Sequence, residues 1–219
     1  MAFKSNKLLG IDNIGPKILK EFCLDIVNPL THIFNLSLST GVVSDSLKLA
    51  KVMPIYKKGN RSEPGNYRPI FLLTVTNKIM EKLMCTRLYN FLQVNKILYK
   101  FQFGFRKHHS TIFALLEVLD NIYHHLDKHE FVIGIYQKAF DTVYHDILLY
   151  KLQNYGVSGI VNQWFKNNLS GRRQITAIGD SCSDIGSITI GVPQGSVLGP
   201  VLFLLYINDI CTMLFQMPK

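Results

Sequence analysis

The sequence is poor in cysteine, in long apolar runs and in acidic residues, and each shortage excludes a class of protein. Four cysteines are scattered over 219 residues without a C-x-x-C pair, which argues against a zinc ribbon or a disulfide framework. The longest apolar run, at 201–207, is far short of the roughly 20 residues that span a bilayer. No apolar core of a signal peptide lies near the start. We therefore expect an intracellular protein, nuclear or cytoplasmic, that is neither secreted nor embedded in a membrane.

The shortage of acidic residues leaves a net charge of +9, from 24 lysines and arginines against 15 aspartates and glutamates. The whole excess lies in residues 51–110, where eight lysines and four arginines face two glutamates, a balance of +10, while residues 1–50 balance at +1 and residues 111–219 at −2. A basic surface confined to one segment is typical of proteins that bind a phosphate backbone. The alternative is a solubilising surface with no ligand.

No internal repeat, low-complexity stretch or linker interrupts the chain. Helical and β-prone segments alternate without βαβ regularity, which favours an α+β fold that is rich in helix and has a small antiparallel sheet. The predicted elements are two short helices within 16–40 that break before Pro29, a helix over about 77–91 capped by Thr76, a helix after Ser110, a buried strand at 131–136, helices over about 145–154 and 159–169, a hairpin of 173–179 with 185–190, and an apolar helix over about 196–209. Two helices have a predicted buried face, formed by Ile79, Leu83, Met84, Leu88 and Phe91 in one and by Leu115, Val118, Leu119, Ile122 and Leu126 in the other.

A histidine cluster offers one alternative chemistry. His125 and His129 are four residues apart on a predicted helix, a spacing that lets two imidazoles share a zinc ion. His124, His108 and His109 are candidates for a third ligand. No H-E-x-x-H motif accompanies them, so solvated helix histidines are the competing interpretation.

Three ordered groups of motifs identify a family. The first is KKGNRSEPGNYRPIFLL (57–73) with NKIMEKLMCTRLYNFL (77–92), the second is QFGFRKHHST (102–111) with QKAFDTVYHDILLYKL (137–152), and the third is YGVSG, WFKNNLSGRRQ and GVPQGSVLGPVLFLLYINDI (191–210). Together they resemble the reverse transcriptase domain of non-long-terminal-repeat retrotransposons. The resemblance covers roughly residues 10 to 210, in the order and at close to the spacings of the family.

The resemblance implies a partial right-hand polymerase, with fingers and an incomplete palm. Residues 1–50 would form an N-terminal helical extension, and residues 51–219 the reverse transcriptase-like domain. The implied partners are an RNA template and a DNA primer, and the implied cofactor is Mg²⁺, held as two ions by clustered aspartates. No protein partner is implied.

The resemblance also assigns site residues. Arg68, in the YRPI motif, and the phosphate-contacting candidates Lys57, Lys58, Arg61, Arg106 and Lys107 would neutralise nucleic acid or triphosphate. Phe140, in KAF, matches the aromatic residue beneath the sugar of the incoming nucleotide, with a core aromatic as the alternative. Gln194 matches the residue that touches the nucleotide and the template base. Gly191, Gly195 and Gly199 match glycines that let the backbone approach that base pair.

Two departures from the family decide the expected activity. The first metal-binding aspartate of the family lies five residues before this phenylalanine, where the present chain has Ile135, so the segment after Tyr136 looks three residues short. Asp141 survives, but it matches a second aspartate that more often caps a helix than binds metal. The chain also has no Asp-Asp dipeptide for the (F/Y)-A-D-D hairpin, and it stops nine residues after Ile210.

We therefore expect no intact catalytic residue and no bound Mg²⁺, with Asp141 as the one candidate metal ligand. The predicted function is a reverse transcriptase domain that is inactive as it stands. The alternatives are a non-catalytic RNA- or DNA-binding module and a remnant without function. In the last case Val197, Leu198 and the apolar residues after them would be uncovered, because the family's hairpin is missing, and the protein would aggregate.

Overall fold

The computed structural model describes residues 9–106, 108–128 and 140–209. Its helices are α1 (Pro16–Glu21), α2 (Cys23–Thr40), α3 (Val75–Val94), α4 (Thr111–Leu126), α5 (His145–Asn154), α6 (Gly159–Leu169) and α7 (Gly199–Ile207). Its strands are β1 (Leu49–Tyr56), β2 (Tyr67–Leu72), β3 (Arg172–Ile178), β4 (Ser181–Cys182) and β5 (Gly186–Ile188). This mixture of helices and one small sheet agrees with the predicted α+β class. The predicted strand 131–136 lies outside the described residues.

The sheet is mixed, so the prediction of an antiparallel sheet is wrong in one pairing. Strands β1 and β2 are antiparallel, with Ile55 opposite Arg68, and β3 is antiparallel to both β4 and β5. However, β1 and β3 are parallel, with Leu49 opposite Arg173. Local turn chemistry predicts hairpins, but this pairing joins segments more than a hundred residues apart, and no local signal specifies its direction.

Helix α2 continues through Pro29, contrary to the predicted break before it. The interruption lies at Phe22, whose carbonyl accepts the N–H groups of Asp25 and Ile26 at 3.1 Å each. Proline removes the hydrogen bond to the carbonyl of Asp25, but both residues are exposed, so the helix can continue with this bond missing on its solvent side.

Helix α3 begins two residues earlier than predicted. Its N-cap is Thr74, whose hydroxyl accepts the N–H of Asn77, and not Thr76. Its buried face is also rotated from the predicted one, because Leu83 is exposed and Met80 is buried. The buried residues are Val75, Asn77, Met80, Glu81, Met84, Leu88 and Leu92.

Helix α7 lies in the middle of the core, so the expectation that it is uncovered is wrong. Leu202, Leu204 and Leu205 are at most 2% exposed. The core around them is supplied by α3, α5 and α6, including Met84, Leu148, Leu152, Trp164 and Phe165. Its first predicted residues, from Ser196, belong to the preceding turn. Aggregation through this helix is therefore not expected.

Helix α4 differs from its prediction in the opposite sense, because it is more exposed than expected. Ser110 caps it as predicted, since its hydroxyl accepts the N–H of Phe113 at 3.2 Å. Its predicted buried face is exposed among the described residues, with Leu115 at 59% and Leu126 at 55%. Hydrophobic periodicity locates the apolar face of a helix but does not show what packs against it.

Replacing Leu204 by alanine is expected to lower the free energy of unfolding by about 2–5 kcal/mol, because it opens a cavity in a fully buried site. Leu115→Ala on α4 is the matched control, and we expect it to stay within about 0.5 kcal/mol of the parent. Urea unfolding followed by circular dichroism measures both. Equal losses would contradict the burial assigned to α7.

No helix in the described ranges is both long enough and apolar enough to cross a membrane.

Candidate nucleotide and nucleic-acid site

Residues 191–195, GVPQG, form a turn that is fixed to the segment before α5. The N–H of Gly191 donates to the carbonyl of Val143 at 2.8 Å, and the N–H of Val192 donates to the carbonyl of Phe140 at 2.9 Å. A ring nitrogen of His145 lies 2.8 Å from the carbonyl oxygen of Gly191. The GVPQG turn and the residues 140–143 therefore form one hydrogen-bonded unit.

The same turn is joined to strand β2. The carbonyl of Gln194 accepts the N–H of Phe71 at 3.0 Å. Gly195 has a φ of +102°, and a Cβ there would lie 3.2 Å from the carbonyl oxygen of Phe71. A side chain at this position would be strained and would crowd β2, which explains why a glycine follows Gln194.

We expect Gly195→Ala to lower the free energy of unfolding by about 1–3 kcal/mol, because it forces an unfavourable φ and a contact with Phe71. Gly65→Ala is the matched control, since a Cβ there meets nothing within 4 Å, and it should change stability by less than about 0.5 kcal/mol. Chemical denaturation measures both values. A neutral Gly195→Ala variant would show that the turn is not held against β2.

Gln194 and Asp141 are in direct contact. The side-chain Nε2 of Gln194 donates to both carboxylate oxygens of Asp141, at 3.1 and 3.2 Å. Beside them opens a cleft of about 280 Å³, lined by Phe71, Asp141, Gln174 and residues 187–193. Gln194 is thus bonded to Asp141, a residue 53 positions away that lines this cleft.

Phe140 is half-buried next to this contact. Its ring lies 5.0 Å from that of Phe203 on α7 and 5.6 Å from that of Phe105, edge to face. It packs against the main hydrophobic core while remaining partly accessible. The position is therefore held rigidly by aromatic packing.

The basic candidates Lys57, Lys58 and Arg61 share the loop that joins β1 to β2, and all three are exposed. The guanidinium of Arg61 lies 5.0 Å from the centre of the Tyr56 ring, and its carbonyl accepts the hydroxyl of Tyr67. Arg61 thus lies against an aromatic side chain, while Lys57 and Lys58 are exposed beside it, an arrangement that suits contact with phosphates and stacking on nucleobases.

Arg68 is exposed on β2, three residues before Phe71, which places it roughly 10 Å along the strand from the attachment of the GVPQG turn. Arg106 is half-buried instead, and its Nη1 donates to the carbonyls of Tyr99 and Gln102 at 2.8 and 3.3 Å. Its guanidinium therefore organises its own loop. Lys107 lies outside the described residues.

Sequence analysis missed Glu81 and Arg172, which are buried charges behind the GVPQG turn. Glu81 is 1% exposed, and its carboxylate accepts the N–H of Val197 at 2.7 Å and that of Leu198. Burial raises the pKa of Glu81, and the positive charge of Arg172 opposes this effect. Burial likewise lowers the pKa of Arg172, opposed by Glu81. The sequence contains one signal that could have identified Glu81 as buried. Glu81 lies four residues after Asn77 and three before Met84, so it shares the buried face of α3 with them.

The residues present do not fit a two-metal centre. Segment 131–139 contains no aspartate or glutamate, and the carboxylate of Asp141 is engaged by Gln194. Asp209, at the end of α7, pairs with Lys151. Within the described ranges no three His, Cys, Asp or Glu side chains are grouped so as to hold a metal, and His129 of the zinc alternative lies outside them.

Comparison with known proteins completes the description of the site. Residues 55–217 match the family model described as reverse transcriptase (RNA-dependent DNA polymerase). The chain is 34% identical over 211 residues to a probable RNA-directed DNA polymerase from transposon BS of Drosophila melanogaster, covering 92% of this chain and 22% of that protein. It is 35% identical over 212 residues to the RNA-directed DNA polymerase from mobile element jockey of Drosophila funebris, covering 94% and 23%. The chain thus spans less than a quarter of the length of these relatives.

Proposed function

Because the chain belongs to the reverse transcriptase family of non-long-terminal-repeat retrotransposons, we propose that it binds a primed template and the incoming nucleotide but does not extend the primer as it stands. The observation that carries this proposal is the contact between Gln194 and Asp141. This contact places Gln194, which we assign to the nucleotide, beside Asp141. It also engages the carboxylate of Asp141, the candidate metal ligand.

The nucleic-acid surface rests on the loop between β1 and β2. Lys57, Lys58 and Arg61 are exposed there, and Arg68 follows on β2. Side chains of this kind neutralise phosphates and release condensed counterions, which provides affinity without sequence preference. Arg68 lies closest along the strand to the GVPQG turn, so it is the residue that we assign to the triphosphate.

The nucleotide subsite rests on Phe140, Gln194 and Gly195. Gly195 lets the backbone turn closely past β2, and the side chain of Gln194 reaches Asp141, which lines the cleft. The oxygen of the Gln194 amide can accept a hydrogen bond from a nucleotide or a template base. Phe140, fixed by its aromatic neighbours, provides the apolar surface for the sugar. The fingers and partial palm that the family implies are part of this proposal.

The sequence before Phe140 supports the proposed lack of primer extension. Two-metal catalysis stabilises both the attacking and the leaving oxygen, so loss of the carboxylate at position 135 removes transition-state stabilisation and not merely affinity. Since the residues do not fit the metal centre, no chemical step is assigned to this chain.

Titration of the 219-residue chain with a fluorescent primed RNA template, at several salt concentrations, tests the binding half of the proposal. Three phosphate contacts, from Lys57, Lys58 and Arg61, predict that log K falls with log salt with a slope of roughly −2 to −3. Adding the nucleotide that matches the next template base should tighten the complex, whereas a mismatched nucleotide should not. Binding that is independent of salt and of nucleotide identity would contradict both parts.

A further inference from the structure

Glu81 and Arg172 form a buried charge arrangement behind the GVPQG turn that the proposed function does not use. Glu81 lies on the buried face of α3, and Arg172 begins β3. Both are at most 2% exposed. Charged side chains are almost never buried this completely unless a specific partner compensates their charge. Their burial here therefore indicates a structural role.

The contacts of Glu81 indicate what this role is. Its carboxylate accepts the N–H groups of Val197 and Leu198, directly before α7 begins. Ser196 accepts the N–H of Gly199 through its hydroxyl at 2.9 Å. Of the four residues that follow Gly195, three thus have their amides bound by two side chains, and the N–H of Ser196 donates to the carbonyl of Pro193. The side chain of Glu81 comes from a different element, α3.

The chain is short and rigid between these amides and Gln194. Val197 is three residues after Gln194, whose own carbonyl is tied to Phe71 and whose side chain is tied to Asp141. Gly195, between them, has a backbone conformation open to few residues other than glycine. If the amides at 197 and 198 lost their acceptor, the chain after Gly195 would lose its bonds to α3, and the turn would be held only by residues 140–145 and by β2.

We infer that Glu81 is a positioning residue for Gln194. It holds the backbone amides of Val197 and Leu198 and thereby fixes the chain that carries Gln194. Arg172 compensates the buried charge of Glu81. This inference rests on the proposed role of Gln194 at the nucleotide. Glu81 itself touches neither nucleotide nor template. Its loss should therefore weaken the response to the matching nucleotide and leave the binding of primed template alone unchanged.

Removing one charge of a buried arrangement destabilises a fold in itself, so the test uses a neutral background. In the Arg172→Met chain, Glu81→Gln keeps a hydrogen-bond acceptor for the amides, and Glu81→Met removes it at similar volume. Replacement of buried charges by apolar residues is often tolerated, so both chains are expected to fold. The pair differs in the acceptor, which is the property that the inference concerns.

The measured quantity is the gain in primed-template affinity on addition of the matching nucleotide. We expect this gain to be about tenfold smaller in the Glu81→Met chain than in the Glu81→Gln chain, as for the loss of one well-formed hydrogen bond to the nucleotide. In a Gln194→Ala background the difference should vanish, because Glu81 acts through Gln194. Equal gains in the first pair, or a difference that persists without Gln194, would overturn the inference.

The side-chain amide signals of Gln194 in a ¹⁵N correlation spectrum separate this inference from the proposed function. They are assigned by their absence in Gln194→Ala. We expect them to shift or broaden in the Glu81→Met chain and to stay near their parent positions in the Glu81→Gln chain. If Gln194→Ala leaves the nucleotide gain unchanged, the nucleotide role of Gln194 fails. The spectra then decide the positioning role, and unchanged signals in the Glu81→Met chain overturn it.

Discussion

Replacing Lys57, Lys58, Arg61 and Arg68 together by alanine is expected to weaken primed-template binding on the order of 100-fold at low salt. The same variant should reduce the steepness of the salt dependence by roughly 2 to 3 in the log–log slope, because the three lost cations of the β1–β2 loop no longer displace counterions. All four side chains are exposed, so the fold should be unaffected. Fluorescence anisotropy at several salt concentrations measures both quantities.

The matched control removes the same charge elsewhere. Lys17, Lys20, Lys128 and Lys166 are exposed lysines outside the β1–β2 hairpin, and their joint replacement by alanine also lowers the net charge by four. We expect this control to retain most of the affinity and of the salt slope. If the two variants weaken binding equally, net charge and not the β1–β2 loop accounts for binding, and the assigned surface is wrong.

Arg172→Met is expected to lower the free energy of unfolding by about 3–5 kcal/mol, because it leaves the buried carboxylate of Glu81 without its compensating charge. Glu81→Met should cost a similar amount, since it leaves the guanidinium uncompensated. The double variant should recover most of the loss, as neither charge then remains buried. Lys166→Met, an exposed cation on α6, is the control and should be nearly neutral.

Guanidinium unfolding of the four chains measures this double-mutant cycle. A cost in the double variant that equals the sum of the two single costs would show that Glu81 and Arg172 do not compensate each other. The buried arrangement would then have to be explained by separate contacts of each residue, such as the bond from Arg172 to the carbonyl of Asn168.

Local features of the fold could be predicted from the sequence where a single residue type decides the geometry. Ser110 marks the start of α4, and Gly156 and Gly171 follow α5 and α6 with φ of +92° and +65°. In contrast, Pro29 does not interrupt α2, where it lies at an exposed position. The parallel pairing of β1 with β3 could not be predicted, because it depends on packing between segments that are distant in the chain.

Burial was harder to predict than helix formation. Leu204 and Leu115 look equally suited to a core, yet one is fully buried and the other is exposed. Glu81 looks like a surface residue, yet it is buried because backbone amides from another element need its carboxylate. In both cases the outcome depends on which neighbour the fold supplies, and a single helix pattern contains no information about that neighbour.

The candidate site likewise has features that the sequence predicts and features that it does not. The motifs predicted that Phe140, Gln194 and Gly195 belong together, and the turn does join Gln194 to Phe71 and to Asp141. Whether these residues contact a nucleotide stays a prediction. Arg106 has the charge of a phosphate ligand, but its guanidinium is engaged by two backbone carbonyls of its own loop, which a motif alone does not reveal.

Primer extension by the purified 219-residue chain tests the central claim most directly. The chain is first shown to be folded and to bind the labelled primed RNA template, and it is then supplied with deoxynucleotides and Mg²⁺, or with Mn²⁺ as a permissive control. We predict a bound primer that gains no nucleotide above a heat-inactivated blank, since residue 135 is isoleucine and Asp141 is held by Gln194. Incorporation that depends on the metal would contradict the account, because other carboxylates of the chain would then have to form the metal centre that its sequence lacks.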